Sequence, residues 1–386
     1  MKYSEYTKHT LLKHVPFHRR VPNTTFIVDY YKLLVSDTSH TFLTHFHADH
    51  YYGLRKSFNK NIFCSVTTAN LVKLNIKVDV KYIKEMAMNR VYRVDDVDVM
   101  CFEANHCPGA VGFIFCVQNF YYLHTGDFRF NIDVHGNLHN LISVMRPNDD
   151  AKCFDTVFYD NTYENYMHFD SQEEVICSVI RDILAQATSK SVLAPVQTKY
   201  VFPSYSIGKE KLFLCVAYYF NWEVNVNTKK NANMQCYSAY TREQINKSVM
   251  DCCKRIRERL GHSSRIFPVF TKAYVQTIKD PETEPLLCVK TNINDAIMEV
   301  IPFNYVNRVK LGILYSKTRF KKVVVICGTG WKKAKKSFNL TRQNGTVVKN
   351  GLEVRYYPYS EHSSNAELQK FCESVSYKTI TPTVKR

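Results

Sequence analysis

A dense group of metal-binding residue types lies near the start of the chain: His45, His47, Asp49 and His50. It follows residues 40–44, a strand-like run, so the group is predicted to lie where a strand ends and a loop begins. In an extended chain His45 and His47 point to the same side, and both imidazoles can bind one ion. Asp49 and His50 follow, where a turn would direct both side chains to a second ion. The segment therefore predicts a metal site.

Three further candidate ligands lie at turns later in the chain: His106, Asp127 and His362. The first two stand beside apolar strand-like runs, and the third precedes a helix whose start is indicated by Ser364 and Glu367 in capping-box spacing. Loops at such positions hold functional groups on a rigid scaffold. Taken singly, each residue also has an ordinary structural interpretation, the histidines as turn residues and the aspartate as a cap.

In their order and context, these residues resemble the metal motifs of the metallo-β-lactamase fold. Five later segments resemble the β-CASP DNA repair nucleases, the group that contains Artemis and Apollo: residues 157–163, 205–211, 328–331, 359–364 and 380–384. Within that group, residues 21–29 and 42–54 are most similar to the 5′ exonucleases of interstrand crosslink repair. The resemblance implies an α/β protein, namely a metallo-β-lactamase αββα sandwich with an inserted α/β β-CASP domain.

The resemblance also implies a centre of two metal ions. The first ion would take His45, His47, His106 and Asp127, and the second would take Asp49, His50, Asp127 and His362. Asp127 would bridge, since a carboxylate has lone pairs on both oxygens. Two ions ~3.5–4 Å apart stabilise both the attacking and the leaving oxygen of a phosphodiester, so no Ser or Cys nucleophile is required. We expect one or two Zn²⁺ ions, with Mn²⁺ or Mg²⁺ as alternatives at the second site.

Four residues are expected to be catalytic under this resemblance: Asp49, Asp127, Asp160 and His362. Asp160 is expected to orient a ligand histidine or to face the terminal phosphate of the substrate. Four more residues complete the expected substrate pocket: Thr162, Tyr163, Ser206 and Lys209.

The segment Gly208-Lys209 has two interpretations that the sequence leaves open. In one, its loop faces the substrate phosphate and Lys209 offers a point charge. In the other, Gly208 is a helix-entry turn and Lys209 is exposed. A nucleotide-binding P-loop is excluded, because Pro203 and Glu210 stand where that motif needs glycine and Ser or Thr.

Composition indicates a folded protein with a polyanionic partner. The chain has 386 residues, 45% of them hydrophobic, and a formal net charge of +17. Positive charge is concentrated in four runs: residues 18–20, 254–259, 317–322 and 332–336. A charge run alone usually marks a solvated face. Four runs beside a nuclease-like metal site favour contacts with DNA phosphates.

Cysteine usage and hydropathy bear on the compartment. Thirteen cysteines without a Cys-x-x-Cys pair disfavour both a disulfide framework and a zinc finger. The N-terminus lacks a signal-peptide core and no apolar run approaches ~18 residues, so we expect an intracellular protein that does not enter a membrane. The resemblance implies the nucleus, DNA as the partner, either single-stranded or a damaged duplex, and a monomer. Protein partners stay open.

A single metal centre supplied by residues 45–127 and by His362 requires an inserted domain between them. We predict residues 1–155 as the first part of the metallo-β-lactamase domain, 156–330 as the β-CASP domain, and 331–386 as the returning part. Residues 170–174 are predicted to cap an amphipathic helix. Its apolar positions at helical spacing are Val175, Ile176, Val179, Ile180, Ile183 and Leu184.

The function predicted from these observations is a metal-dependent DNA nuclease, a 5′→3′ exonuclease that needs a 5′ phosphate. Structure-specific endonuclease, RNA-processing nuclease, small-molecule metallo-hydrolase and silent DNA-binding protein are the alternatives. Val384 favours DNA over RNA, because the last family motif tends to carry valine in DNA enzymes. The sequence departs from the family at Asn161 and Phe267, where relatives carry Thr and often His. It ends two residues after Val384, and we expect the loss of substrate contacts made by a longer tail.

Overall fold

A computed structural model describes residues 14–32, 38–147, 153–188, 198–261, 285–291, 296–316, 318–330, 338–340 and 351–384. The chain divides into two compact units. Unit 1 comprises Met1–His168, Cys236–Ser238 and Glu361–Arg386, and unit 2 comprises Phe169–Gln235 and Ala239–Ser360. The predicted mixed α/β fold is confirmed. The predicted domain boundaries, after residues 155 and 330, stay a prediction; the chain passes between the compact units at 168/169 and 360/361.

The described residues of unit 1 form two sheets. The four-stranded sheet is parallel throughout and consists of β1 (Ile27–Val28), β2 (His40–Phe42), β3 (Asn61–Ser65) and β4 (Ile83–Met86). The six strands of the other are β5 (Val91–Val94), β6 (Val97–Glu103), β7 (Val111–Val117), β8 (Phe120–His124), β9 (Phe154–Tyr159) and β17 (Tyr377–Pro382), numbered along the whole chain. Their order is β17-β9-β8-β7-β6-β5, antiparallel from β5 to β8 and parallel across β8, β9 and β17.

The core of unit 1 lies between these sheets. Strand β7 is buried at every position, as its continuous apolar run predicts for an interior strand covered on both faces. The ring centroid of Phe42 on β2 lies 5.4 Å from that of Phe113 and 4.9 Å from that of Phe115, both on β7. Side chains of the two sheets therefore pack directly against each other.

Among the described residues of unit 1 there are four α-helices: α1 (Val66–Asn75), α2 (Ile132–His135), α3 (Leu138–Met145) and α9 (Asn365–Ser374). The capping box predicted before α9 is confirmed. The Ser364 side chain accepts from the Glu367 backbone N–H, and the Glu367 carboxylate accepts from the Ser364 backbone N–H at 2.7 Å. This reciprocal cap determines where the segment carrying His362 ends and the helix begins.

Unit 2 is built on one seven-stranded sheet. Its strands are β10 (Thr198–Ser204), β11 (Val224–Val226), β12 (Val289–Lys290), β13 (Met298–Pro302), β14 (Lys322–Gly328), β15 (Phe338–Leu340) and β16 (Gly351–Tyr357). Their order is β12-β11-β13-β10-β14-β16-β15, and every pair except β15–β16 is parallel. Parallel strands need crossover connections, which explains the alternation of strands and helices along this part of the chain.

The described part of unit 2 has five α-helices: α4 (Gln172–Thr188), α5 (Glu210–Phe220), α6 (Thr228–Gln235), α7 (Ala239–Leu260) and α8 (Arg308–Tyr315). The predicted amphipathic helix is α4. Five of the six apolar residues of its predicted stripe are buried, and the sixth, Leu184 near the end of the helix, is half-buried. Among the described residues, no helix has the length and apolar character needed to cross a bilayer. The basic run 332–336 and the departure at Phe267 lie outside the described residues.

Candidate metal centre

The first histidines lie directly after β2. The Leu43 N–H donates to the Phe63 carbonyl at 2.9 Å, so the chain is still held beside β3 when it reaches His45. As the alternation predicts, His45 and His47 lie on one side, with 3.0 Å between His45 Nε2 and His47 Nδ1. A turn follows, in which the His50 N–H donates to the His47 carbonyl at 3.1 Å. The turn brings the His50 ring to 4.0 Å from that of His45, measured between centroids.

Three distant segments complete the cluster. His106 lies between β6 and β7, and its Nε2 is 3.2 Å from Nδ1 of His47. Asp127 follows β8, and its Oδ2 lies 3.1 Å from His50 Nε2 and 3.8 Å from His45 Nε2. The ring centroid of His362, which precedes α9, is 4.7 Å from that of His106. All of these residues belong to unit 1.

The close approach of Asp127 to the first histidines depends on Gly126. This glycine has φ +60°, and a Cβ built on it would lie 2.9 Å from Cβ of Thr44. The left-handed conformation and the lack of space both favour glycine here. The small-residue turn noticed in the sequence is thus what allows Asp127 to contact the His45 segment.

A buried carboxylate holds the first part of the cluster. Asp29 Oδ1 accepts from the Thr44 N–H at 2.8 Å, and its Oδ2 accepts from the Thr44 hydroxyl at 2.6 Å and pairs with His50 Nδ1 at 2.7 Å. Because the hydroxyl proton is donated to Asp29, the Thr44 oxygen accepts from His45 Nδ1 at 3.0 Å. Both Nδ1 atoms are engaged in this way, and the Nε2 atoms are left to face the centre.

The distal histidines are oriented in the same way. His106 Nδ1 lies 2.8 Å from the Glu361 carbonyl oxygen, a hydrogen-bond acceptor. His362 Nδ1 lies 2.7 Å from Oδ2 of Asp160, whose side chain is fully buried. In metal sites, the nitrogen of a ligand histidine that does not bind the ion donates to a carbonyl or carboxylate. Asp160 thus has the contact that its expected orienting role requires.

Electrostatics separate the histidines into two kinds. Burial, and then the neighbouring His50, holds the pKa of His45 well below its usual value, while burial and His362 lower the pKa of His106 to about 4. Both are neutral near pH 7 and keep a lone pair. Burial would raise the pKa of Asp127, but the His50 imidazole outweighs it and holds that pKa well below its usual value. The second kind comprises His50 and His362. Burial would lower both pKa values, but Asp127 and Asp29 outweigh it and hold the pKa of His50 well above its usual value, while Asp160 and Asp127 raise the pKa of His362 to about 9. A divalent cation would displace these protons on binding, since a ligand imidazole is neutral, and the ionised Asp127 beside His45 and His106 is a donor set that fits such a cation.

Among the described residues, three groups have ligand atoms that all lie within 4.8 Å of one another. They are His45, His47, His106 and Cys107; His45, His50 and Asp127; and His106, Asp127 and His362. Asp49 belongs to none of them: its carboxylate is 79% exposed, and Oδ2 lies 3.6 Å from His50 Nε2. The structure therefore brings six of the seven expected ligands together and leaves Asp49 at the rim.

Sequence reasoning missed two residues of this site. Asp29 and Cys107 were assigned no role, although Asp29 directly follows an apolar pair on β1 and Cys107 directly follows a candidate ligand. An acidic residue at the end of a buried strand is a signal that could have identified Asp29.

The expected substrate pocket is divided between the two units. In unit 1, Asp160 Oδ1 accepts from the Thr162 N–H at 2.9 Å and from its hydroxyl at 2.6 Å. The Tyr163 ring centroid lies 5.6 Å from that of His362. Ser206 and Lys209 belong to unit 2. Their membership of one pocket with Thr162 and Tyr163 stays a prediction.

The loop that carries Lys209 has an unusual conformation. Lys209 is the N-cap residue of α5 and has a left-handed backbone conformation, with φ 63°. Gly208 therefore precedes the start of a helix, as one interpretation predicted. The same interpretation expected Lys209 to be exposed, and that part is wrong. Its residue is 6% exposed, and Nζ lies 5.6 Å from the Tyr205 ring centroid and 5.3 Å from that of Tyr359. The aromatic faces attract the ammonium and shelter its stem.

A second lysine, Lys230, which sequence reasoning did not identify, makes hydrogen bonds to the loop that precedes Lys209. Lys230 Nζ donates to Glu210 Oε1 at 2.5 Å, to Ser204 Oγ at 3.1 Å and to the Tyr205 carbonyl at 3.2 Å. Glu210 Oε1 also accepts from the Gly208 N–H at 3.1 Å. The buried pair of Lys230 and Glu210 thus supports the backbone that precedes Lys209.

Comparisons of the chain with protein families and with curated proteins point to DNA repair proteins. The model of the family described as "DNA repair metallo-beta-lactamase" matches residues 284–386. The chain is 30% identical over 376 residues to the DNA cross-link repair 1A protein of Mus musculus, covering 96% of this chain and 31% of that protein. It is 32% identical over 382 residues to DNA ligase 6 of Arabidopsis thaliana, covering 96% of this chain and 23% of that protein.

A third relative carries an activity in its name. The "5' exonuclease Apollo" of Gallus gallus is 27% identical over 217 residues, which is 56% of this chain and 44% of that protein. The chain spans less than a third of the length of the mouse and Arabidopsis proteins. The relatives therefore share this region, and each also has long stretches that this chain does not match.

Proposed function

Since this chain belongs to the metallo-β-lactamase/β-CASP DNA repair nucleases, we propose that it is a metal-dependent DNA nuclease. More narrowly, we propose a 5′→3′ exonuclease that requires a terminal 5′ phosphate and acts in repair such as interstrand crosslink repair. The observation that carries the proposal is the convergence of imidazole nitrogens from His45, His50 and His106 on the half-buried Asp127 carboxylate. We also propose nuclear residence, action as a monomer, and DNA as the partner, whether single-stranded or a damaged duplex.

The donor set suits transition-metal ions. The family implies metal ions, and we propose zinc at the nitrogen-rich end, with Zn²⁺, Mn²⁺ or Mg²⁺ at the end where carboxylates contribute. Asp49 is proposed as a ligand at the open rim of the centre, since its carboxylate is exposed and adjacent to His50. Metal ions in such a centre supply Lewis-acid neutralisation of the phosphodiester and lower the pKa of water.

The residues behind the proposed ligands contribute orientation. Asp29 and Asp160 hold the rings of His50 and His362 through their Nδ1 atoms, so that neither ring rotates away. Asp160 also accepts from Thr162, which couples the proposed substrate pocket of unit 1 to the orientation of His362. Rigid placement of reacting groups is itself a large contribution to rate.

A DNA substrate is supported by the basic surface. The formal net charge is +17, and Lys254, Arg255 and Arg259 on α7 of unit 2 are exposed. Arg255 pairs with Glu173 at 2.6 Å and is therefore partly compensated. Exposed basic residues bind the phosphate backbone without regard to sequence, as a nuclease of broad sequence range requires.

The first test measures whether the centre cleaves DNA. We expect the purified protein to degrade labelled single-stranded DNA, and a chelator or Asp127→Asn to abolish this activity. Asp49→Ala should also lower it strongly. Asp155→Asn is the matched control: it is another carboxylate of unit 1, it accepts from the Tyr121 N–H at 2.8 Å, and it lies outside the cluster. Wild-type nuclease rates in Asp127→Asn and Asp49→Ala would refute the proposal.

The second test measures direction and substrate. Strands with a 5′ phosphate should be trimmed from that end much faster than strands with a 5′ hydroxyl, and Lys209→Ala should narrow the difference while metal content is unchanged. Lys229→Ala, an exposed lysine on α6, is the control for loss of one positive charge. Equal degradation rates for strands with a 5′ phosphate and strands with a 5′ hydroxyl would refute the exonuclease assignment. Efficient cutting of a closed circular single strand would refute it as well. A clear preference for matched RNA strands would refute DNA as the substrate.

A further inference from the structure

The loop after His50 presents an aromatic side chain beside the proposed metal centre. Tyr52 is 63% exposed and lies two residues after His50. Since consecutive Cα atoms are about 3.8 Å apart, the Cα atoms of these two residues are separated by ~7.6 Å at most. Asp49, whose carboxylate is exposed, directly precedes His50. The Tyr52 ring therefore lies on the side of the centre that faces solvent.

The exposure of Tyr52 belongs to a well-packed turn. The Tyr51 N–H donates to the His47 carbonyl at 3.2 Å, and the Leu54 N–H donates to the Tyr51 carbonyl at 2.9 Å. The Tyr51 ring stacks on that of Phe46, with centroids 4.4 Å apart, and Leu54 is buried. The neighbours of Tyr52 hold the turn, and its own side chain is directed outward.

Lys32 lies over one face of the Tyr52 ring. Its Nζ is 5.5 Å from the ring centroid, a distance at which the π face attracts a cation. Gly53 allows the two segments to approach each other. It has φ +96°, and a Cβ built on it would clash with the Tyr31 carbonyl oxygen and lie 2.9 Å from the Lys32 backbone nitrogen. This close backbone approach places an ammonium against the ring and leaves most of the tyrosine exposed.

The segment around the ring carries positive charge. Residues 44–60 contain one acidic residue, Asp49, and three basic residues, Arg55, Lys56 and Lys60. The side chains of Lys32, Arg55 and Lys56 are exposed. A single exposed aromatic residue is common on protein surfaces. An exposed ring among exposed cations is the combination with which proteins bind single-stranded DNA, because the cations contact phosphates and the ring stacks on a base.

We propose that Tyr52 stacks on one base of the single-stranded DNA substrate, beside the phosphodiester at the metal centre, and that Lys32 and the cations of the same loop contact phosphates of that strand. The inference rests on the proposed nuclease function and adds a substrate contact that the metal ligands do not provide. Every base has a π face, so stacking tolerates any sequence. The contact therefore holds a strand at the centre without selecting its sequence.

The test measures the coupling between the ring and one base. Affinity is measured for fluorescently labelled thymidine oligonucleotides with a 5′ phosphate, each carrying one abasic residue at a different position, with a chelator present to prevent cleavage. In the wild type, one abasic position should lower the affinity ~5- to 150-fold, the range for loss of one stacked base. In Tyr52→Ala the same abasic position should lower the affinity less than about twofold, because the ring is already absent.

Two variants serve as controls, and circular dichroism establishes that all the proteins are folded. Tyr52→Phe keeps the ring and should reproduce the wild-type abasic profile. Phe120→Ala removes another exposed ring of unit 1, which is 45% exposed at the start of β8, whereas Asp127 follows the other end of that strand. This variant should also keep the wild-type profile, since its ring lies at the far end of β8 from the centre.

The outcomes separate this inference from the proposed function. Equal losses in the wild type and Tyr52→Ala at every abasic position would overturn the inference, and DNA cleavage by both proteins would leave the nuclease proposal standing. Coupling at one position without any cleavage by the metal-loaded wild type would support the base contact and refute the nuclease. If the metal-free protein does not bind the strands, the same comparison of KM values for their cleavage decides. A wild type that neither binds nor cleaves DNA would refute both.

Discussion

Replacing Asp29 by asparagine tests whether the orientation of His50 determines metal affinity. Asp29 is not among the candidate ligands, yet its carboxylate contacts three hydrogen-bond donors, the Thr44 N–H, the Thr44 hydroxyl and Nδ1 of His50. Asparagine has the same shape but offers one oxygen and one amide nitrogen. Either orientation of the amide then puts an NH₂ group against a donor, at Thr44 N or at His50 Nδ1.

The expected loss of metal affinity can be estimated because Asp29 contacts the ligand residue His50 directly, through its Nδ1 atom. Loss of such a partner typically lowers metal affinity 10- to 100-fold, or about 1.4–2.8 kcal/mol of binding free energy. The Thr44 hydroxyl can rotate to relieve one contact, but its rotation then removes the acceptor that His45 Nδ1 uses. We therefore expect the loss to reach the upper half of that range for zinc.

The assay is a zinc competition titration against a chromophoric chelator, performed on wild type, Asp29→Asn and Asp155→Asn. Circular dichroism of the metal-free proteins establishes that all three are folded. Asp155 also accepts from a backbone N–H and lies outside the cluster, so its variant should bind zinc within about twofold of the wild type. Zinc affinity of Asp29→Asn within the same twofold would refute the reasoning.

Three further outcomes are expected. Lys230→Met should lower the free energy of unfolding by about 3–5 kcal/mol in urea denaturation, because it leaves the Glu210 carboxylate buried without its ammonium, and adding Glu210→Gln should recover most of the loss. No recovery would contradict the ion-pair explanation. Gly126→Ala should lower both melting temperature and zinc content, since its Cβ would meet Thr44, whereas Gly351→Ala, with open space around it, should lower neither zinc content nor activity; zinc content equal to the wild type in Gly126→Ala would contradict this. DNA affinity measured by gel shift should fall steeply between about 50 and 200 mM salt, and a flat dependence would argue against binding through phosphate contacts.

The spacing of neighbouring residues in the sequence was sufficient to predict part of the site. The alternation of side chains along an extended segment predicts that His45 and His47 share a side, and the structure has their ring nitrogens 3.0 Å apart. The apolar run after His106 predicts a strand, which is β7, and the spacing of Ser364 and Glu367 predicts the start of α9. Each of these features depends on residues within one or two turns of each other, so the sequence carries the information directly.

Contacts between distant segments needed more than spacing. The predicted ligands His106, Asp127 and His362 were gathered by resemblance to a family, since nothing local indicates that they meet. The assignment of Asp49 as a ligand stays a prediction: its carboxylate is exposed, and its Oδ2 lies 3.6 Å from Nε2 of the buried His50.

Tertiary structure alone decided which groups stand behind and beside the ligands. His106 is oriented by a carbonyl 255 residues away, and His50 by a carboxylate 21 residues earlier. These partners are selected by the order of strands in the two sheets of unit 1 and by the packing between those sheets, which involve the whole unit at once. Cys107 and Lys230 acquire their neighbours in the same way, each within its own unit. The sequence by itself determined the types of the candidate ligands and which neighbouring side chains point to the same side. Burial and strand order determined which ligands from distant segments come into contact. Distant residues interact only after the loops between them have closed, and loop closure depends on the fold of the whole unit.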